Sequence, residues 1–227
     1  LATNVSVEKL IVVDGGSKDG TLEFISKLNK NLSLFPHIHF INDTGGTRAT
    51  ARMKGIKNVE TEWFVFVDSD CVLCHGWFKK AFKHTSSGVG AIEGKQKLIL
   101  NFKDTRFFEA RKILTRKLNR LAGRNVRVEE EGRGFTGDTL IKTDLLKDIE
   151  IPSYYHVLED YYIKCWIERK GYRWIRIDDA YCYHFCHYYR PRDVFYGSYI
   201  LTKEDKLTLK HEMLRVLTAF PRYVLIG

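Results

Sequence analysis

The run Trp63-Phe64-Val65-Phe66-Val67, closed by Asp68-Ser69-Asp70, constrains the fold of this chain more than any other feature. Five consecutive apolar residues of aromatic and β-branched type read as a strand buried on both faces, which requires a sheet covered by helices on each side. Open α/β sheets bind their ligands at the carboxyl ends of strands, and these two carboxylates fall there. Hard oxygen ligands of this sort suit Mg2+ or Mn2+ carrying a substrate's phosphates. Taken alone, the motif is equally a solvated turn that caps the next helix.

The surrounding chain alternates strand, glycine turn and helix. Glu8–Asp14 is a short apolar strand that runs into Gly15-Gly16-Ser17-Lys18-Asp19-Gly20-Thr21, after which a helical pattern continues to about Lys30. His37–Ile41 is a second strand, followed by Gly45-Gly46 and a helix from about Thr47 to Val59; another helix lies near Trp77–His84. This order predicts right-handed parallel βαβ units. After residue 88 the rhythm changes. Val89–Leu100 reads as extended, Phe135–Ile141 and Tyr172–Ile177 as strands, and Val157–Lys170 as a helix ended by Gly171. Asp104–Arg124 is a helix with Phe107, Ala110, Leu114, Leu118 and Leu121 on one face and Arg106, Arg111, Lys112, Arg116, Lys117 and Arg120 elsewhere. A further helical region fills Arg192 to the end.

With 227 residues, the chain is long enough for one α/β domain with a full core. Its formal charge of +9 points to an anionic partner, for which nucleic acid, membrane lipid and nucleotide substrates all qualify. Five cysteines form no regular framework, so a reducing, cytoplasmic setting is expected. No stretch reaches the ~18–20 apolar residues of a membrane span, and no signal peptide opens the chain. The mostly apolar segment Leu214–Gly227 either packs on the domain as an amphipathic helix, or lies at the cytoplasmic face of a membrane or begins a span.

Five motifs stand in a fixed order: VDGGSKDGT (13–21), GGTRATARMKGI (45–56), FVFVDSD (64–70), GFTGDTLIKTDLL (134–146) and LEDYYIKCWIERKGY (158–172). Together they resemble the family 2 glycosyltransferases of the GT-A fold over roughly residues 8–188. The resemblance implies an α/β, three-layer sandwich with a mostly parallel central sheet: a catalytic domain over 1–190 and a helical extension over 191–227. It implies an inverting, metal-assisted transfer of one sugar from a UDP- or GDP-sugar to a carbohydrate or lipid-phosphate acceptor, with Mg2+ or Mn2+ as cofactor. By position, Asp14 matches the nucleotide-binding carboxylate, with Gly16 and Ser17 in its turn, and Arg52 the arginine near the nucleotide. Asp68 matches the ribose-side or metal-side carboxylate, Asp70 the direct metal ligand and His184 a third ligand. Asp160 matches the catalytic base, with Glu159 orienting a neighbour or binding acceptor, and Gly137 and Asp138 fall in the acceptor segment.

The pattern departs from the family in two places. Asp14-Gly15 stands where many relatives carry two aspartates, and the fold's first, interior strand is missing, since Leu1–Val7 reads as the tail of a helix. A sheet lacking an interior strand exposes backbone donors and acceptors, so roughly 20 or more residues are expected upstream of Leu1. The basic helix and the apolar tail suit a membrane surface and a polyprenyl-phosphate acceptor, which needs no base. A sugar nucleotidyltransferase shares the sheet and its carboxylates. Cys71, Cys74 and His75, with Cys182, His184, Cys186 and His187, form clusters of the kind that hold zinc. No nucleic-acid-binding motif is present, and no nucleic-acid partner is expected.

Overall fold

The computed structural model describes residues 7–32, 37–99 and 133–185, together with 193, 196, 197, 199, 200 and 203. The basic helix read over 104–124, the tail 214–227 and the boundary near 190 lie outside the described residues. β1 (Lys9–Asp14), α1 (Thr21–Leu32), β2 (His37–Asn42), α2 (Arg48–Lys57) and β3 (Trp63–Val67) follow the expected alternation. β1 and β2 pair in parallel, from Lys9 opposite His37 to Asp14 opposite Asn42, as a crossover through a helix requires.

β4 (Cys71–Leu73), α3 (Trp77–Phe82), β5 (Val89–Ile99), β6 (Asp138–Lys142), α4 (Glu159–Arg169) and β7 (Arg173–Phe185) complete the fold. A second, five-stranded sheet has the order β3-β6-β5-β7-β4. It is mixed: β6 is antiparallel to β3 and β5, β5 is parallel to β7, and β4 is antiparallel to β7. β7 runs to Phe185 rather than ending at Ile177. The acidic pair Asp178-Asp179 breaks its apolar run, yet Lys95–Ile99 pairs with Tyr181–Phe185 beyond a register shift. Among the described residues, β1 has no strand partner on the edge away from β2, and β3 none on the edge away from β6.

Helices cover both faces of the larger sheet, because side chains alternate across its strands. Ala49 and Ile56 of α2 and Ile163 and Ile167 of α4 pack with Phe66, Ala91 and Ile141 on one face. Trp77 and Ala81 of α3 pack with Val89, Ile92, Leu140 and Ile177 on the other. Burying an aliphatic side chain of this size contributes about 1.5–3 kcal/mol, so these two layers dominate the stability of the sheet. α4 approaches β5 closely at Gly90, where a Cβ would stand 2.6 Å from Leu145 and 2.7 Å from Ile167. No helix among the described residues is long and apolar enough to cross a membrane.

Asp138, the first residue of β6, is fully buried. Its Oδ2 accepts a 3.4 Å hydrogen bond from Trp77 Nε1 and lies over Gly94, where a Cβ would stand only 2.1 Å away. Burial pushes its pKa from 3.8 up to about 7. Between those values the folded chain holds a proton that the unfolded chain releases, so stability falls as pH rises through this window and is flat above it. Asp138→Asn removes the ionisation. In urea titrations the variant is expected to be more stable than the parent at pH 8, with that advantage shrinking toward pH 4.

Candidate active site

The turn after β3 is pinned by backbone bonds on three sides. Asp68 N–H donates to Gly137 O at 3.2 Å, Cys71 N–H closes the turn on Asp68 O at 2.9 Å, and Phe185 N–H donates to Asp70 O at 2.8 Å. Asp68, Ser69 and Asp70 are thereby held between the start of β6 and the end of β7. They border an open cleft of about 1640 Å³ that also takes in Arg48, Arg52, Glu159, Asp160 and His184.

α2 brings two of these residues. Thr47 caps its amino terminus in a reciprocal box with Thr50. Thr50 Oγ1 also donates to Asp43 Oδ2 at 2.8 Å, and Lys54 Nζ pairs with the same buried carboxylate at 2.8 Å. With the helix fixed in this way, Arg48 and Arg52, four residues apart, share one face. Arg52 Nη2 forms an ion pair with Asp68 Oδ1, and its guanidinium lies 4.6 Å over the Phe66 ring. Arg48 Nη2 pairs with Asp193 Oδ2 at 3.0 Å.

α4 brings the second pair of carboxylates. Leu158, immediately before it, adopts a left-handed conformation (φ 65°, ψ 17°) although it is a buried leucine. Such a backbone costs about 1–2 kcal/mol in a residue with a Cβ. The turn sets Glu159 and Asp160 at the helix amino terminus, where the positive end of the dipole favours their charge. Burial opposes it. Glu159 is pushed up to about 7, first by burial and then by the charge of Asp160. Burial also raises Asp160, against the opposing pull of Arg133 and of the Tyr161 N–H, which donates to its Oδ1 at 2.7 Å.

Asp70, Cys71 and His184 offer one oxygen, one sulfur and one nitrogen within 4.8 Å of one another. The pairing of Cys71 opposite His184 across β4 and β7 creates this proximity. His184 Nε2 lies 3.3 Å from Asp70 Oδ2, while its Nδ1 is buried without a hydrogen-bond partner. His184 Nε2 beside the accessible Asp70 carboxylate offers a nitrogen and an oxygen to a divalent cation, and the mixed donor set suits Mn2+ at least as well as Mg2+. Of the zinc reading's residues, Cys71 lies beside both His184 and the buried Cys182, whereas Cys74 Sγ accepts from Tyr181 N–H at 3.4 Å; Cys186 and His187 lie outside the described residues.

Arg52, Asp68, Asp70, Glu159, Asp160 and His184 thus meet at one cleft, as the sequence led us to expect. Five other residues do not border it. Asp14 folds its carboxylate back onto the Gly16 and Ser17 N–H groups at 2.9 and 3.0 Å, so all three are engaged in a tight turn at the end of β1. Gly137 and Asp138 are turned into the sheet, because β6 begins there and Asp138 points toward Trp77. The cleft adds Glu93, Arg133 and Arg176, none of which the motifs pick out. Glu93 accepts from Trp174 Nε1 and Arg176 Nε, both at 2.7 Å, and burial raises its pKa. An acid after the apolar Val89–Ile92 was the available signal.

A family model described as glycosyl transferase family 2 matches residues 4–137, more than half of the chain. No curated protein sequence matches. Among solved structures, the mannosyltransferase PcManGT from Pyrobaculum calidifontis, in complex with GDP-Man and Mn2+, superposes with a TM-score of 0.62 at 16% identity, over 93% of this chain and 60% of that one. S. aureus TarS 1-349 gives 0.57 at 20% identity, over 96% and 63%. Glucosyl-3-phosphoglycerate synthase from Mycobacterium tuberculosis, with Mn2+, UDP and glucosyl-3-phosphoglycerate, gives 0.53 at 16%, over 89% and 71%. At these identities the likeness is one of fold, and the GT-A architecture is the one they share. The chain spans about 60% of the mannosyltransferase it matches.

A Cβ on Gly46 would stand 2.1 Å from Asp43 Oδ2 and disturb the contacts that orient α2. Gly46→Ala is expected to destabilise the fold by about 1–3 kcal/mol in urea titrations.

Proposed function

The chain belongs to glycosyl transferase family 2, and we propose that it moves one sugar from a nucleotide-diphosphate sugar to a carbohydrate hydroxyl, inverting the anomeric carbon. The observation that carries this reading is the meeting of the Asp68–Asp70 turn with the Glu159–Asp160 helix terminus at one cleft. UDP- and GDP-sugars are the donors to test first, given the GDP-Man and UDP complexes of the similar structures.

In this reading Asp160 takes the proton of the acceptor hydroxyl as its oxygen attacks the anomeric carbon, while the bond to the donor's phosphate oxygen breaks on the opposite side. Asp70 and His184 would hold Mn2+ or Mg2+, with Asp68 beside them, and the ion supplies neutralisation of the departing diphosphate. Arg52 restrains Asp68 through their ion pair and lends positive charge to the donor side. Arg133 lowers the cost of ionising Asp160 in its buried setting. Glu159, buried beside Asp160 and raised by burial and by that neighbour's charge, acts as an orienting group rather than a second base.

A base must be unprotonated to work. Because burial raises both carboxyls, kcat/KM is expected to climb with pH above the ordinary carboxylate range and level off once Asp160 is ionised. Glu159→Gln removes a neighbouring negative charge, and the climb should move to lower pH. Asp160→Asn is expected to lower kcat by ~10²–10⁴ with a hydroxyl acceptor. Turnover close to that of the parent would displace Asp160 from the base role and favour an acceptor already ionised, such as a lipid phosphate. Asp70→Asn and His184→Ala should each weaken Mn2+-dependent UDP or GDP binding in calorimetric titrations. Nucleotide affinity indifferent to the cation would overturn the metal assignment.

A further inference from the structure

Phe66, Thr139, Glu93 and Arg176 stand directly opposite one another across β3, β6, β5 and β7. Residues paired in this way share a face of the sheet. It is the face covered by α2 and α4, since Phe66 and Ala91 pack there and Glu93 follows Ala91 by two positions. Three inter-strand spacings, about 14 Å, separate the ends of the row. At one end Arg52 lies over Phe66 and binds Asp68. Arg176 closes the other end, and both ends border the cleft.

The Glu93 side chain is 3% exposed, whereas that of Arg176 keeps 43%. Glu93 Oε1 accepts from Arg176 Nε at 2.7 Å and pairs with Nη2 at 2.5 Å, while Trp174 Nε1 donates to Oε2 at 2.7 Å. A guanidinium carries five N–H donors in a rigid fork. Glu93 fixes that fork along one edge, and among the described residues the other donors of Arg176 meet no acceptor. Lys95, which also borders the cleft, pairs with Asp178 at 2.8 Å. This end of the cleft therefore offers aimed donors without unmatched charge. A phosphate or carboxylate calls for unmatched cations, whereas ring hydroxyls call only for directed hydrogen bonds. Folding does not account for the pair, because apolar residues of similar volume often serve a buried position equally well.

We propose that Arg176, aimed by Glu93, hydrogen-bonds the ring hydroxyls of a neutral sugar at the β5–β7 end of the cleft, and that this sugar belongs to the acceptor. The second half rests on the transfer reading, in which the Asp68 end takes the donor; the sugar site itself rests on the pair. Arg176 is then the specificity-determining residue. Glu93 is a positioning residue: it holds the fork and cancels its charge, which sets the preference for uncharged sugars.

Saturation-transfer NMR on the full chain, with and without Mn2+ and UDP or GDP, tests this. The probes are the methyl glycosides of glucose, galactose, mannose and N-acetylglucosamine, set against glucuronate and glucose 6-phosphate. The parent is expected to bind at least one neutral glycoside, and both acids more weakly. Arg176→Lys keeps the charge but loses the fork, and should weaken that binding about tenfold or more with nucleotide affinity unchanged. Glu93→Gln leaves Arg176 unmatched and should move the preference toward glucuronate. Glu93→Leu combined with Arg176→Met removes the pair without stranding a buried charge; this variant should hold its urea midpoint and lose the glycoside. Glycoside binding that survives the double substitution would assign the pair to folding and overturn the proposal. Tighter binding of the acids by the parent, or no glycoside bound with or without nucleotide, would do the same. Glycoside binding through Arg176 in a chain with no nucleotide affinity would instead remove the transfer reading and keep the sugar site.

Discussion

Asp68, Asp70, Glu159 and Asp160 border one cleft, and so many like charges are tolerated only because arginines stand among them. Arg52 binds Asp68 and also favours the charged forms of Glu159 and Asp160; Arg48 and Arg133 each favour one of that pair. Burial pushes the α4 carboxyls toward their neutral forms while the arginines pull them back. The outcome is a pair of acids that hold their protons above the ordinary carboxylate range, in place of two fixed charges. A base is useful only where its proton can leave near working pH, so this balance underlies the chemistry proposed for the cleft.

The balance depends on elements distant in sequence. Arg48 and Arg52 reach the cleft because Thr47, Thr50, Asp43 and Lys54 fix α2 at its amino end, and Gly46 leaves room for the Asp43 carboxylate. The Asp-Ser-Asp turn is held by backbone bonds to Gly137, just before β6, and to Phe185, at the end of β7, both far along the chain. His184 reaches Asp70 only because the second half of β7 pairs with β4. The Asp-Ser-Asp turn and His184 thus rest on long-range strand pairing, and the α2 arm on its own capping contacts.

Much of this was legible in the sequence because it is written locally. The WFVFV strand, the glycine turns and the LED helix start carry their own signals, and they placed Arg52, Asp68, Asp70, Glu159 and Asp160 at the cleft. What local pattern does not carry is pairing. The antiparallel insertion of β6 between β3 and β5 follows from register rather than composition, and it turns Asp138 inward to Trp77. The same holds for Glu93 and Arg176, which meet across β5 and β7 at positions 83 apart. Asp14 stands apart from the cleft for a different reason: its carboxylate satisfies the N–H groups of its own turn, a local alternative that aspartate often takes.

Leu158 has a consequence for how this protein tolerates change. A buried leucine with positive φ keeps a less favourable backbone only because its side chain is packed in the α2–α4 layer. Glycine and asparagine relax that backbone but give up the packing, and alanine gives up the packing while keeping the strain. Few replacements improve on leucine there. Sequence drift at this position is therefore confined by folding itself, and the residue that aims the acidic pair is guarded without any selection on catalysis.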